Sequence, residues 1–241
     1  MINYIKGIND CLSGIGLIFK SGIRRYVIIP LLINTALFGG AIYILYKQMD
    51  IWLEKLLPGW LYWLEWLIVP LFFLTIVLIV FFSFTLVANL ISAPFNSYLS
   101  ASVEQKLTGS KPENMVNEPV WKTVVRTVRA EIRKTVYFLL WLIPLALLTV
   151  IPVINVVAPF AWFLFAAWSF SIEYMDSPLG NRGMLFEEIR EYNRKNRLRS
   201  LGLGTGVFVM TSIPFLNFLA MPVAVCAATK TTVKTSEQQQ P

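Results

Sequence analysis

Gly22-Ile23-Arg24-Arg25 stands directly before residues 26–46, a 21-residue run without Asp, Glu, Lys or Arg. A helix of ~20 apolar residues crosses a bilayer, so the cluster lies at a membrane face. The first N–H groups of a helix have no intrahelical partner and the helix dipole is positive there, which favours an anion. Ser21 is placed to cap that start, and Gly22 lets a ligand approach the backbone closely. Arg24 and Arg25 offer charge-assisted N–H bonds, and the planar guanidinium suits oxyanions. The two arginines equally fit a plainer role, anchoring the helix end on the cytoplasmic side by the positive-inside rule. The residues alone leave both open.

Other chemistries lack their residues. The chain has no histidine, which removes imidazole general bases, Ser-His-Asp triads and most zinc or haem sites. No G-x-x-x-x-G-K-[ST] loop is present, so no ATP-driven pump is encoded, and no metal or cofactor is expected. Gly202-Leu203-Gly204-Thr205-Gly206 departs from dinucleotide-loop spacing and reads as small residues for close helix contact. Cys11 and Cys226 sit in apolar surroundings and read as small core side chains. Glu104, Glu173 and Asp176 lie at the edges of apolar segments. They are expected to pair with Arg182 or with the basic stretch 121–133, with proton coupling as the sharper alternative.

The elements that must position these residues are membrane helices. The chain is 56% hydrophobic and 15% charged, against ~25% charged in soluble domains. Residues 26–46, 66–103, 135–172 and 200–229 carry no charge at all. The early apolar stretch is interrupted by Lys6, Asp10 and Lys20 and does not read as a signal peptide. The net charge of +7 reflects cytoplasmic loops rather than nucleic-acid binding.

Ile5, Ile8, Leu12, Ile15 and Phe19 share one helical face, predicting an amphipathic helix over 1–20 lying in the interface. Residues 26–46 form a first spanning helix. An aromatic-rich loop at 47–65 follows, then a second spanning helix within 66–103 that continues or restarts near Pro94. Lys122, Arg126, Arg129 and Arg133 form a basic stripe beside Trp121, Val125, Val128 and Ile132. That helix either rests on anionic headgroups or forms a vestibule that concentrates an anion.

Segments 135–172 and 200–229 are too short for two spans and a turn. Prolines interrupt them (Pro144, Pro152 and Pro159 in one, Pro214 and Pro222 in the other). Each is predicted to be a hairpin that enters the membrane and returns. Ile151-Pro152-Val153-Ile154-Asn155 matches Ile213-Pro214-Phe215-Leu216-Asn217, a repeated turn at the two tips. The expected fold is an all-α integral membrane protein: two long transmembrane helices, two re-entrant hairpins and amphipathic interfacial helices. One membrane domain covers 1–230, and a polar tail over 231–241 is expected to be disordered.

Lys and Arg number four in 1–25, two in 47–65, seven in 104–134 and six in 173–199. Two spans and two re-entrant hairpins put every rich segment in the cytoplasm and the poor loop outside.

Several stretches, in order, resemble the CysZ-type sulfate permease family over nearly the whole chain. They are Gly22-Ile23-Arg24-Arg25 with Ile29-Pro30-Leu31-Leu32-Ile33-Asn34, Ala93-Pro94-Phe95-Asn96 leading to Glu104, and Ala158-Pro159-Phe160-Ala161-Trp162-Phe163-Leu164-Phe165. Glu173-Tyr174-Met175-Asp176-Ser177-Pro178 and Ile213-Pro214-Phe215-Leu216-Asn217 with Met221-Pro222-Val223-Ala224-Val225-Cys226 complete the set. After Asp176 the chain departs from the family pattern, with Ser177, Gly180 and Arg182 where the family has an aromatic, an acid and a histidine.

The resemblance implies sulfate uptake for cysteine synthesis across a bacterial inner membrane, without an ATPase subunit. It also implies partly penetrating hairpins, a homo-oligomer in the lipid bilayer, and sulfate binding by Gly22, Ile23, Arg24 and Arg25. Asn34, Asn89, Asn96, Glu104 and Asn155 are the candidates for lining or gating the path. An accessory membrane protein that senses the anion and modulates another transporter is the competing reading; a lipid-binding protein built around the basic helix is a third.

Overall fold

The structure, a computed structural model, describes residues 2–56, 63–110 and 120–237. Its helices, in order, are α1 (Ile2–Ile18), α2 (Arg25–Leu56), α3 (Glu65–Thr108), α4 (Val120–Val150), α5 (Ala158–Gly180), α6 (Phe186–Lys195), α7 (Arg197–Ser212) and α8 (Pro214–Glu237). No strand occurs among the described residues. Stretches long and apolar enough to cross a membrane lie at Arg25–Ile44, Arg129–Val150, Ile154–Gly180 and Pro214–Glu237. The protein is an all-α, multi-pass membrane protein.

The chain divides into two compact units, Met1–Arg24 with Asn96–Pro241, and Arg25–Phe95. The second unit holds α2 and the first part of α3. Leu32, Ile42, Ile44, Leu71 and Phe73 are all exposed there, as expected of helices whose apolar faces meet lipid. Both helices run past their predicted ends. Residues 47–56, expected in a loop, continue α2, because neither Gly nor Pro interrupts them before Pro58. α3 passes through Pro94 as one helix. Trp63 and Trp66 are exposed near its start; Trp60 and Tyr62, also assigned to the aromatic loop, lie outside the described residues.

The first unit is built around α5, α7 and α8, with α1 packed on α7 and α8. α1 turns the predicted amphipathic face outward: Ile5, Leu12 and Phe19 are exposed, while Gly7, Asp10, Cys11 and Gly14 are buried. Its packing face carries small residues at Gly7, Cys11 and Gly14, where neighbouring backbones come very close, with Leu17 and Ile18 buried further along. A Cβ on Gly202 would collide with the Tyr4 carbonyl, and one on Gly204 with the Ala167 carbonyl. The glycine run of α7 therefore serves close helix contact.

The segments 135–172 and 200–229 are helical hairpins. Trp162 Nε1 donates to Thr149 Oγ1 and Trp168 Nε1 to the Tyr137 hydroxyl, both at 3.0 Å, which runs α5 antiparallel to α4. Phe163 meets Phe208 edge-on at 5.3 Å, which with the Ala167–Gly204 approach runs α7 antiparallel to α5. Both tips consequently lie at the same end of the unit.

The repeated motif forms those tips, and the same bond closes each copy. Asn155 N–H donates to the Ile151 carbonyl at 3.0 Å and Asn217 N–H to the Ile213 carbonyl at 2.8 Å. The two turns are not identical. Val153 takes a left-handed φ of 72° before a 3-10 turn at Ile154–Val157, whereas Pro214 opens α8 directly. Pro144 does not break the first hairpin; it sits within α4. Pro159 falls in the first turn of α5, where its missing N–H has no partner to lose.

The tail prediction is corrected in part. Residues 231–237 are the last turns of α8, with Thr231, Thr232, Val233 and Thr235 buried. Thr231 and Thr235 hydroxyls donate to the carbonyls of Ala227 and Thr231, at 2.9 and 2.8 Å. This satisfies them inside the helix. Residues 238–241 lie outside the described residues.

Candidate functional site

After α1 the chain makes a tight turn. Lys20 N–H donates to the Leu17 carbonyl at 3.1 Å, and the Ile23 and Arg24 N–H groups both donate to the Lys20 carbonyl, at 3.1 and 3.2 Å. Gly22 has a φ of 86°, in the left-handed region that a glycine enters without steric cost. Ile23 is 1% exposed and Arg24 is exposed. The turn thus buries one side chain as an anchor and displays the next.

Ser21 does not cap α2, because the helix starts four residues later, at Arg25. The Ser21 carbonyl instead accepts from Lys106 Nζ at 2.6 Å. The N–H groups of Ile23 and Arg24 are taken by the turn, so the orphan donors belong to the first turn of α2 itself. Arg25, the first residue of that helix, lies over the Tyr26 ring at 4.8 Å and donates to its hydroxyl at 2.9 Å. No carboxylate pairs with Arg24, Arg25 or Lys106 among the described residues. Cations left without a carboxylate partner can attract an oxyanion.

The other candidates lie along several helices, each in its own surroundings. Asn34 is half-buried in α2 and its Oδ1 has no hydrogen-bond partner. The side chain of Asn89, in α3, lies outside the described set. Asn96 is half-buried on α3. Asn155 is exposed at the tip of the first hairpin. Glu104 is buried at the opposite end from the tips. Its Oε1 accepts from Arg182 Nη2 at 2.8 Å, and its Oε2 is buried without a partner.

Glu104 makes an expected pair, whereas Glu173 and Asp176 find their cation one residue past the basic stretch 121–133. Glu104 takes Arg182, which also donates to Ser236 Oγ at 3.1 Å. Glu173 and Asp176 take Lys134 of α4, at 2.9 and 3.6 Å, with Glu131 at 2.8 Å on the same ammonium. Arg133, the last residue of the basic stripe, pairs with Glu187 of α6 at 2.5 Å. Arg129 is exposed, and the side chains of Lys122 and Arg126 lie outside the described set.

Sequence reasoning missed the most buried ion cluster. Asp10 Oδ2 accepts from Arg199 Nη2 at 2.6 Å and Nε at 2.9 Å, and Asp10 Oδ1 pairs with Lys234 at 3.2 Å. Thr231 Oγ1 adds a bond at 3.3 Å, and Arg199 Nη1 donates to Thr235 at 3.0 Å. The cluster ties α1, α7 and α8 at the open end of the second hairpin. A signal existed: Asp10 is the sole acidic residue in positions 1–49, and an ionisable group beside apolar helix faces calls for a partner.

Comparison with known proteins follows the same residues. The model of the family described as Sulfate transporter CysZ/Etoposide-induced protein 2.4 matches residues 11–222. A relative from Pectobacterium atrosepticum, described as "Sulfate transporter CysZ", is 41% identical over 229 residues, covering 93% of this chain and 83% of the relative. A turn that displays cations without a carboxylate partner among the described residues before the uncharged run 26–46, two antiparallel hairpins and a match over most of the length agree, and the chain belongs to the Sulfate transporter CysZ/Etoposide-induced protein 2.4 family.

Proposed function

We propose that this protein is a sulfate permease of the bacterial inner membrane, moving the anion without ATP hydrolysis and supplying sulfur for cysteine synthesis. The turn at residues 22–25 is the capture point, with Gly22, Ile23, Arg24 and Arg25 as the binding residues. The observation that carries this reading is the display of Arg24 and Arg25, with no carboxylate partner among the described residues, directly before the uncharged run 26–46. A dianion is attracted by two guanidiniums and by the free N–H groups of the first turn. The function named for the 41%-identical relative supports the choice of sulfate.

The lining or gating candidates are polar groups that lipid would penalise: Asn34, with its orphan Oδ1, in one unit, and Glu104, with its orphan Oε2, in the other; Asn89, Asn96 and Asn155 are further candidates. The hairpins are re-entrant, and with so few full crossings a single chain does not enclose a pore. The working form is a homo-oligomer in a single membrane domain.

Equilibrium binding of radiolabelled sulfate to purified protein tests the site. Arg24→Ala/Arg25→Ala is expected to lose binding while still inserting into the membrane and eluting as the wild type does. Binding equal to wild type in that variant would remove the site assignment. A protein that binds sulfate but passes none on its own would instead be the accessory sensor.

A further inference from the structure

We propose that Lys106 is a third cationic residue of the anion site, a clause that rests on the reading of the 22–25 turn given above. Lys106 stands in the last turn of α3 and its ammonium donates to the Ser21 carbonyl at 2.6 Å. An ammonium has three donors. One holds the turn at its first residue, and the others remain for an oxyanion. The side chain is exposed and has no carboxylate partner among the described residues. Beside it, a Cβ on Gly22 would meet nothing within 4 Å, so the backbone there stands open to a ligand.

α3 gives Lys106 a fixed base. Leu99 and Val103 are fully buried, and Glu104 is locked to Arg182 at 2.8 Å. The helix then stops at Gly109, whose φ of 79° suits a C-terminal glycine and whose N–H donates to the Gln105 carbonyl at 2.9 Å. Lys106 therefore orients the turn through Ser21 and adds the charge that favours a divalent over a monovalent anion.

Sulfate binding to the purified full-length protein, at low and at high ionic strength, tests this with Lys106→Gln, Lys106→Arg and Arg24→Ala/Arg25→Ala side by side. Lys106→Gln keeps a donor for Ser21 but not the charge. It is expected to weaken sulfate affinity about five- to tenfold at low salt and to flatten the salt dependence. Lys106→Arg restores affinity to within about twofold. Lys106→Gln binding like wild type while the double arginine variant loses binding overturns the role of Lys106 and leaves the site standing. Lys106→Arg as weak as Lys106→Gln also overturns it, since charge would then not be what counts. Unchanged binding in the double arginine variant overturns the site and this proposal together.

Discussion

Asp10 carries more partners than any other carboxylate described here, and it does so between three helices rather than in a loop. Removing one member of a buried pair leaves the other charge unpaired, which costs roughly 3–5 kcal/mol. Asp10→Asn is therefore expected to lower the unfolding midpoint sharply, measured in detergent by thermal unfolding, whereas neutralising the exposed Glu191–Arg194 pair is expected to leave it nearly unchanged. Cys11 is fully buried, with Met210 Sδ at 4.0 Å, and burial pushes its thiol up to about 11. The thiolate is the reactive form, so native protein is expected to resist maleimide at neutral pH. Labelling should rise only as pH approaches 11 or when the helices separate; rapid labelling of Cys11 in native protein at neutral pH would contradict the packing. At this scale the pairing of Glu104, Glu173 and Asp176 was legible from their place at segment edges. The burial of Asp10 was not, because a stripe of apolar residues normally marks the inside of a helix. In a membrane that stripe faces lipid, and Asp10 goes inward with Gly7, Cys11 and Gly14 beside Leu17 and Ile18.

The hairpin tips followed from the repeated Ile-Pro-x-x-Asn turn, whose two copies share the same Asn-to-Ile backbone bond, whereas the uncharged lengths stop short of the outer ends, since α4 begins at Val120 and α8 runs to Glu237. Proline positions alone misled at Pro144, which neighbouring helices tolerate within α4. Threonine content misled at residues 231–237, where each hydroxyl bonds back into its own helix and the methyls pack. Two predictions belong to the elements. Val153 holds a left-handed φ while 86% exposed, an arrangement costly for a β-branched residue. Val153→Gly is expected to stabilise the protein by about 1 kcal/mol, and a lower unfolding midpoint would show that the side chain matters more than the backbone. Gly204→Ala drives a methyl into the Ala167 carbonyl. It should destabilise by ~2–3 kcal/mol or more, seen as loss of a monodisperse peak on size exclusion after mild heating.

The whole molecule is organised by depth. The charged groups (Asp10 with Arg199 and Lys234, Glu104 with Arg182, Lys134 with Glu173 and Asp176) gather at the open ends of both hairpins. Val153 and Phe215, 86% and 87% exposed, mark the apolar tips. Between them, the uncharged arms 135–150 and 200–212 measure about 24 and 20 Å at 1.5 Å per residue, short of the ~30 Å hydrocarbon core. By length and composition, stretches long enough to cross include both arms of the first hairpin and the second arm of the other. Cysteines placed at Val153 or Phe215 are accordingly expected to stay unlabelled by an impermeant maleimide from either face, while Lys195→Cys reacts from the cytoplasmic side alone; labelling of a tip from outside would mean that the hairpins cross. The central claim is self-sufficient permeation through a site at Arg24 and Arg25. It is tested most directly by radiolabelled sulfate uptake into proteoliposomes holding only this protein, without ATP, beside the Arg24→Ala/Arg25→Ala variant. Saturable uptake by the wild type that the variant loses is the expected result; no uptake by the wild type, or equal uptake by both, would overturn permeation through that site.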